Sequence, residues 1–140
     1  MVSRNMETYL KLKEGAEMES DLTSDRSRNA MLDAFTDDFE MVEPPMLPHG
    51  GVWKGKEEWT RMQGIMRKHW QQKVDIDKMW DLPDDDLIIL YTTMEWTAND
   101  TGRVANFPCV ELLYFRDALI CRVEIFLFDT KLILDTIDQV

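Results

Sequence analysis

Basic residues are scarce in this sequence, and the shortage excludes two classes of partner. Its 140 residues include 16 lysines and arginines against 27 aspartates and glutamates, which gives a formal net charge of −11. Nucleic acids and anionic membrane surfaces both require clustered basic side chains for binding. We therefore expect no nucleic acid and no membrane among the partners, and the acidic surface favours solubility.

Long apolar runs are also absent. No stretch approaches the roughly 18 apolar residues that span a bilayer, and the first residues lead into charged side chains instead of the apolar core of a signal peptide. The sequence therefore predicts a cytoplasmic protein. With 140 residues and 44% apolar side chains, it is expected to form one domain over residues 1–140 with its own hydrophobic core.

Cysteine and histidine are too few for a disulfide framework or a metal site. The two cysteines, Cys109 and Cys121, are predicted on neighbouring strands of one hairpin that turns at residues 117–118. In that hairpin they do not lie opposite each other, so two free thiols in a reducing compartment are expected. His49 and His69 are far apart in the sequence and neither lies in a Cys/His cluster, so no metal or other cofactor is expected.

What is present is a pattern of helices followed by strands. Apolar side chains recur at helical spacing, and β-branched and aromatic side chains mark the strands. Successive hairpins form an antiparallel sheet, and the helices then cover one face of it. The fold class is therefore α+β, and a curved sheet with helices on its concave side encloses an apolar cavity. The predicted helices are 4–19, 25–35, 56–71 and 130–137; the predicted strands are 39–43, 74–82, 87–97, 103–116 and 119–128, and 46–55 is predicted to be a loop.

The strongest candidate for chemistry is Glu43, at the end of the first predicted strand. Phe39, Met41 and Glu43 share one face by the alternation of a strand. Two of the three are large and apolar, so this face is expected to point inward and Glu40 outward. A carboxyl group in apolar surroundings has a raised pKa and can take a proton from carbon and return it nearby. The alternative is a carboxylate that caps a neighbouring backbone group or pairs with a lysine.

Two further carboxylates have two interpretations each. Glu111 lies inside an apolar strand. It either faces inward, protonated, and donates a hydrogen bond to a developing oxyanion, or faces outward and pairs with Arg122 across the strands. Asp129 ends an apolar strand directly before a predicted helix, and helix capping is the first interpretation. Whether Asp129 shares a face with Glu111 depends on the length of the turn at residues 117–118.

Histidine and large apolar side chains supply the candidates for the pocket wall. His49 lies in the predicted loop, where it is a gate, an acid or an exposed histidine. Large side chains at regular spacing belong mainly to the core, and one or two of them are expected to line the pocket. The candidate substrate-binding residues are His49, Trp53, Trp59, Met62 and Trp96.

Three segments of the sequence resemble one known superfamily. They are residues 35–44 (FTDDFEMVEP), with paired aspartates, a strand, an acidic residue and a proline; residues 51–59 (GVWKGKEEW), with a glycine before the third helix; and residues 111–130, a last hairpin that ends in Phe-Asp-Thr. They resemble the nuclear transport factor 2-like superfamily, and within it the ketosteroid-isomerase-like and SnoaL-like polyketide cyclase branch. The resemblance implies a cone-shaped, curved antiparallel sheet with three N-terminal helices on its concave face enclosing a pocket.

The resemblance also implies roles for individual residues. Glu43 matches the position of the isomerases' general base, and Glu111 falls near the protonated acid of their oxyanion hole. Asp129 matches an acid/base residue of the polyketide cyclases, and Tyr9 corresponds to the isomerases' tyrosine on a helix. Glutamate stands where the isomerases have an aspartate at both key positions, which adds a methylene group and moves the carboxylate.

These observations predict an isomerase, cyclase or dehydratase that acts on a small, mostly apolar organic molecule. It would work by carboxylate acid/base proton transfer in an apolar pocket, without a cofactor. One alternative is a binding module of the same fold without catalysis. Another is an oligomerisation or transport domain that uses one face of the predicted strand 87–97. A homodimer is the predicted assembly.

Overall fold

The computed structural model describes residues 2–17 and 25–137, and it confirms an α+β fold. Within these ranges, no helix has the length and apolar character needed to cross a membrane. The helices are α1 (Arg4–Glu17), α2 (Asp25–Ala34), α3 (Gly55–His69) and α4 (Thr130–Leu134); the strands are β1 (Phe35–Glu43), β2 (Gly51–Lys54), β3 (Trp70–Leu82), β4 (Leu87–Ala98), β5 (Val104–Arg116) and β6 (Leu119–Leu127).

The six strands form one curved sheet in the order β2-β1-β6-β5-β4-β3. Strands β3 to β6 follow one another as antiparallel hairpins, as predicted. Strand β1 lies parallel to β6, with Val42 beside Glu124. The prediction of a loop over 46–55 is wrong in part, because Gly51–Lys54 pairs with β1 as an edge strand. Four residues between glycines are too few to show the alternation of a strand.

The last hairpin turns at Asp117 and Ala118, as predicted. Both residues have positive φ angles, 51° and 61°, which is the backbone of a two-residue type I′ turn. The register shifts by one residue at Cys121, so this cysteine lies in a bulge, while Cys109 pairs with Leu127. Both cysteines are free, as expected from their separation.

The helices α1 to α3 cover one face of the sheet, and apolar side chains fill the space between them. Phe35 stacks on Phe39 with ring centroids 4.1 Å apart, and Trp59 of α3 meets Phe35 edge to face. At the other end of the sheet Trp70 and Trp96 pack together, and the indole of Trp70 donates a hydrogen bond of 2.8 Å to Thr136 beside α4. A cavity remains between these two packed regions.

Candidate active site

The cavity between the sheet and the helices has a volume of about 570 Å³ and a mainly apolar wall. This volume lies in the range of pockets that bind small organic molecules. Lys73 and Asp75 of β3 are the exposed part of the wall, so the cavity reaches solvent along this strand. Besides the exposed Asp75, two carboxyl groups lie in the wall, those of Glu43 and Glu111.

Strand alternation places Glu43 in the cavity. Phe39, Met41 and Glu43 are all buried, and only 7% of Glu43 is exposed, which confirms the predicted inward face of β1. Glu40 points to the other side, where its carboxylate lies 3.5 Å from the guanidinium of Arg122. Glu43 itself contacts no lysine and caps no backbone group among the described residues, so the structure does not support the alternative interpretation.

Strand register brings Glu111 close to Glu43. Glu111 pairs with Ile125 of β6, and Glu43 lies one position beyond the last pair of β1 with β6, which also places it beside Ile125. The two glutamates therefore lie two strands apart in one row, at about 4.8 Å per strand. Of the two orientations considered for Glu111, the inward one is observed. Arg122 instead pairs with carboxylates on the outer face.

Burial changes the acidity of both carboxyl groups. The loss of hydration, and then the charge of Glu111, raise the pKa of Glu43 from 4.5 to about 8. Burial also raises the pKa of Glu111, to about 7. Two neighbouring carboxylates in an apolar cavity repel each other, so the pair holds one proton near neutral pH and titrates as a unit. Glu43 is the member that holds its proton more strongly.

His49 is fully buried directly behind Glu43, although its loop suggested an exposed histidine. Its Nε2 atom lies 3.9 Å from a carboxylate oxygen of Glu43, and neither ring nitrogen has a hydrogen-bond partner among the described residues. The ring packs against Trp70 and Trp96, with centroid distances of 5.9 Å to each. Burial, and then the nearby His69, lower the pKa of His49 to about 4, so the imidazole is neutral beside Glu43.

Two of the other candidate residues lie in the cavity wall. Tyr9 of α1 and Trp96 of β4 are both buried and both line the cavity. The indole of Trp96 donates a hydrogen bond of 3.2 Å to the sulfur of Met94, which fixes the ring against the wall. The structure therefore brings Tyr9, Trp96 and the two glutamates together.

Besides His49, four candidate residues lie outside the wall of this cavity. Asp129 is exposed and caps α4, accepting a hydrogen bond of 3.0 Å from the backbone of Leu132, which confirms the first interpretation of this residue. Trp59 and Met62 are fully buried in the core below α3. Trp53 donates a hydrogen bond of 2.9 Å to the backbone oxygen of His49, so it braces the loop behind Glu43.

Two polar residues of the wall, Gln63 and Gln72, were not predicted from the sequence. Both are buried and both line the cavity. Spacing offered a signal: Gln63 lies on the same face of α3 as Met66, and Gln72 alternates with Trp70 along β3. Glutamine is usually exposed, so this spacing alone did not predict a place in the wall. Among the described residues, no three histidine, cysteine or carboxylate side chains are grouped as metal ligands.

One sequence family matches this chain. The model of the SnoaL-like domain family matches residues 20–123, which is most of the chain. No relative is found among curated protein sequences. The matched range contains β1 to β5 and the first part of β6, and therefore both glutamates of the cavity.

Similar solved structures cover nearly the whole chain. An NTF2-like protein of unknown function from Burkholderia pseudomallei has a TM-score of 0.83 at 22% identity, over 99% of this chain and 100% of that one. TerC, crystallised with polyporic acid, has a TM-score of 0.80 at 20% identity, over 96% and 98% of the two chains. A protein assigned as a SnoaL-like polyketide cyclase from Jannaschia sp. CCS1 has a TM-score of 0.76 at 15% identity, over 96% and 91%. These similarities establish the nuclear transport factor 2-like fold.

Proposed function

This chain belongs to the SnoaL-like domain family, and we propose on that basis that it is an isomerase, cyclase or dehydratase for a small organic molecule. Its chemistry is proton transfer at carbon, without a cofactor. The observation that carries the proposal is the pair of Glu43 and Glu111, two carboxyl groups with raised pKa values in the wall of one apolar cavity. Related folds with a small organic molecule, such as TerC with polyporic acid, support a ligand of this kind.

In the proposed reaction Glu43 is the base. Its carboxylate takes a proton from the carbon next to a carbonyl group, and the protonated Glu111 donates a hydrogen bond to the oxygen that becomes negative. Glu43 then returns the proton to another carbon, or the intermediate closes a ring or loses a leaving group. Tyr9, which lines the same cavity, is a second candidate donor to the oxygen.

The position of the single proton limits the rate. Glu43 is the more deeply buried carboxyl and has the higher pKa, so the proton lies mainly on Glu43 in the free protein. The reaction therefore requires the less populated arrangement of the pair, with Glu43 ionised and Glu111 protonated. The opposite arrangement, with Glu111 as base and Glu43 as acid, uses the larger population and is distinguished by the variants described below.

The experiment that tests this proposal is hydrogen exchange into small cyclic ketones in deuterated water, followed by proton NMR. We expect the protein to accelerate exchange next to the carbonyl group for ketones that fit a cavity of about 570 Å³. Because the active pair holds one proton, the rate should be greatest between about pH 7 and 8 and fall on both sides. A protein that binds these ketones but never accelerates exchange would instead be a binding module.

We also propose a homodimer, through the face of the sheet that is turned away from the helices. On this face Tyr91 pairs with Val110, and Val110 with Phe126, in one row across three strands. Phe126 is 54% exposed and Trp80 of the edge strand β3 is 46% exposed. A contiguous apolar surface of this kind marks a protein contact. The two free cysteines suit the reducing cytoplasm, where the protein is proposed to work.

A further inference from the structure

A buried imidazole lies against the proposed base, and the proposed proton transfer gives it no part. The Nε2 atom of His49 is 3.9 Å from a carboxylate oxygen of Glu43, and His49 does not belong to the wall of the cavity. Both ring nitrogens are fully buried, and neither has a hydrogen-bond partner among residues 2–17 and 25–137. His49 can therefore affect the chemistry through Glu43 without touching a ligand.

Packing alone does not account for a histidine at this position. The ring packs against Trp70 and Trp96, and phenylalanine would make the same contacts without burying two nitrogens. Most buried polar groups in native proteins are hydrogen bonded, and one without a partner destabilises the fold. Among the described residues, Glu43 is the acidic side chain in contact with the ring, so its carboxyl group is the partner within reach.

A small rotation of Glu43 would form this hydrogen bond. The observed 3.9 Å exceeds the distance of about 3 Å at which an N–H group bonds to oxygen. The two indole rings hold the imidazole, and the backbone oxygen of His49 accepts a hydrogen bond of 2.9 Å from Trp53, so the ring is the fixed partner. The terminal torsion of a glutamate side chain is soft, and hydrogen bonds of catalytic groups often tighten only during the reaction.

The two protonation states of Glu43 gain unequally from such a bond. Burial lowers the pKa of His49 to about 4, so the neutral ring carries one N–H, which either nitrogen can hold. A hydrogen bond from N–H to a carboxylate is roughly twice as strong as one between neutral groups. Since a bond to the charged form lowers the pKa of an acid, contact with His49 shifts the shared proton from Glu43 toward Glu111.

Other titratable groups near this pair do not take the same role. Those on the surrounding elements are Glu111 and Cys109 of β5, His69 at the end of α3, and Lys13 and Lys73 in the cavity wall. Burial and the charge of Glu111 account for the raised pKa of Glu43, so the lysines do not offset it. Burial and both glutamates raise the pKa of the Cys109 thiol, which therefore stays neutral.

We propose that His49 is the positioning residue that makes Glu43, and not Glu111, the base. When Glu43 is ionised, the Nε2–H group of His49 donates a hydrogen bond to one carboxylate oxygen, and the proton of the pair lies on Glu111. The other oxygen of Glu43 takes the proton from carbon. Glu43 is the base under the proposed function, on which this inference rests, whereas the hydrogen bond can be measured in the free protein.

The position of the imidazole proton in the free protein is the first test. Nitrogen-15 NMR distinguishes a ring nitrogen that carries a proton from one that does not. The chain has two histidines, so in the variant His69→Phe all imidazole signals belong to His49. Above about pH 9, where Glu43 is ionised, we expect the proton on Nε2. A proton that stays on Nδ1 at this pH would overturn the proposal.

The pKa of Glu43 in variants of His49 is the second test, measured by carbon-13 NMR of the carboxyl carbons. His49→Phe keeps the ring contacts but loses the N–H group, and it should raise the pKa of Glu43 by about one unit. His49→Gln, whose amide donates from a similar place, should restore it to within about half a unit. His69→Phe is the matched control and should leave it unchanged. Equal values in His49→Phe and the wild type would contradict the proposed bond, and the first test decides the point if His49→Phe does not fold.

The ketone exchange assay then tests the role in catalysis. At pH 7.5 His49→Phe should exchange about tenfold more slowly at saturating ketone, with an unchanged KM because His49 lies outside the wall, and its pH optimum should move up by about one unit. An unchanged rate would show that His49 does not set the base. If the wild type does not exchange ketones but Nε2 carries the proton above pH 9, only the proposed function is wrong. If exchange depends on Glu43 but not on His49, only the role of His49 is wrong.

Discussion

Glu43 combines a carboxyl group with near-complete burial, and this makes the stability of the free protein depend on pH. Its pKa in the folded protein is about 8, against 4.5 ordinarily. The folded protein therefore keeps a proton that the unfolded chain releases between about pH 4.5 and 8. Because the folded state binds more protons in this window, the free energy of unfolding falls as the pH rises through it.

Replacing Glu43 by glutamine should reduce this dependence to the part that comes from Glu111, whose pKa is also raised by burial. At pH 8 the variant Glu43→Gln should be more stable than the wild type, by an amount on the order of a few kcal/mol, whereas at pH 4.5 the two should be nearly equal. Urea unfolding at both values measures the difference. Glu40→Gln, on the outer face of the same strand, is the control and should show no such gain. Equal pH slopes for Glu43→Gln and the wild type would contradict the assigned burial.

Sequence patterns predicted the site only where a regular element governs the side chain. The alternation of β1 placed Glu43 inward, and the helix predicted directly after Asp129 marked it as a cap; both are confirmed. The burial of His49 was not predicted, because a loop residue follows no periodicity and its packing depends on Trp70 and Trp96 from distant segments. The orientation of Glu111 also depended on pairing that only the folded sheet determines.

The loop between β1 and β2 is the element that holds His49 behind Glu43. It folds back on itself through two backbone hydrogen bonds, from Leu47 to Pro44 and from Gly50 to Leu47, of 3.2 Å and 2.9 Å. A side chain at Gly50 would place its first carbon 2.3 Å from the backbone oxygen of Pro44. This close approach explains why the loop requires glycine at this position.

Alanine at Gly50 should therefore disrupt the loop. We expect Gly50→Ala to lower the free energy of unfolding by roughly 1–3 kcal/mol, as overpacking against rigid backbone does. Gly64→Ala is the matched control: it lies in α3 with open space around it, and alanine there should stabilise the helix by up to about 1 kcal/mol. Chemical unfolding of both variants measures the difference. Equal stability of Gly50→Ala and the wild type would show that the loop can move aside without loss.

Element boundaries were predictable where patterns were long. Strands β4 and β5 and helix α3 lie within one or two residues of their predicted limits. Strand β3 starts four residues earlier than predicted, at Trp70 directly after α3. The apolar stripe of α3 extends to Trp70 in the sequence, so no break in the pattern marks the boundary between the helix and the strand. The parallel pairing of β1 with β6 joins segments far apart in the sequence, and no local pattern encodes such a contact.

The proposed assembly of the whole molecule uses the apolar row on the outer face of the sheet, which contains Tyr91, Val110 and Phe126. We expect a dimer in solution, and the double variant Tyr91→Glu/Phe126→Glu should be monomeric because it places charges in the centre of that face. Met46→Glu, in an exposed loop outside the sheet, should leave the dimer intact. Light scattering coupled to size exclusion measures the masses. A monomeric wild type, or a double variant that stays dimeric, would exclude this interface.

The proposed chemistry of the whole molecule rests on one carboxyl group in one cavity. The most direct test compares the wild type with Glu43→Gln and Glu40→Gln in the deuterium-exchange assay at pH 7.5, on a ketone that the wild type accepts. Glutamine keeps the shape of the side chain but cannot take a proton, so Glu43→Gln should reduce exchange by at least about a thousandfold, while Glu40→Gln keeps the wild-type rate. An exchange rate for Glu43→Gln close to that of the wild type would show that Glu43 is not the base.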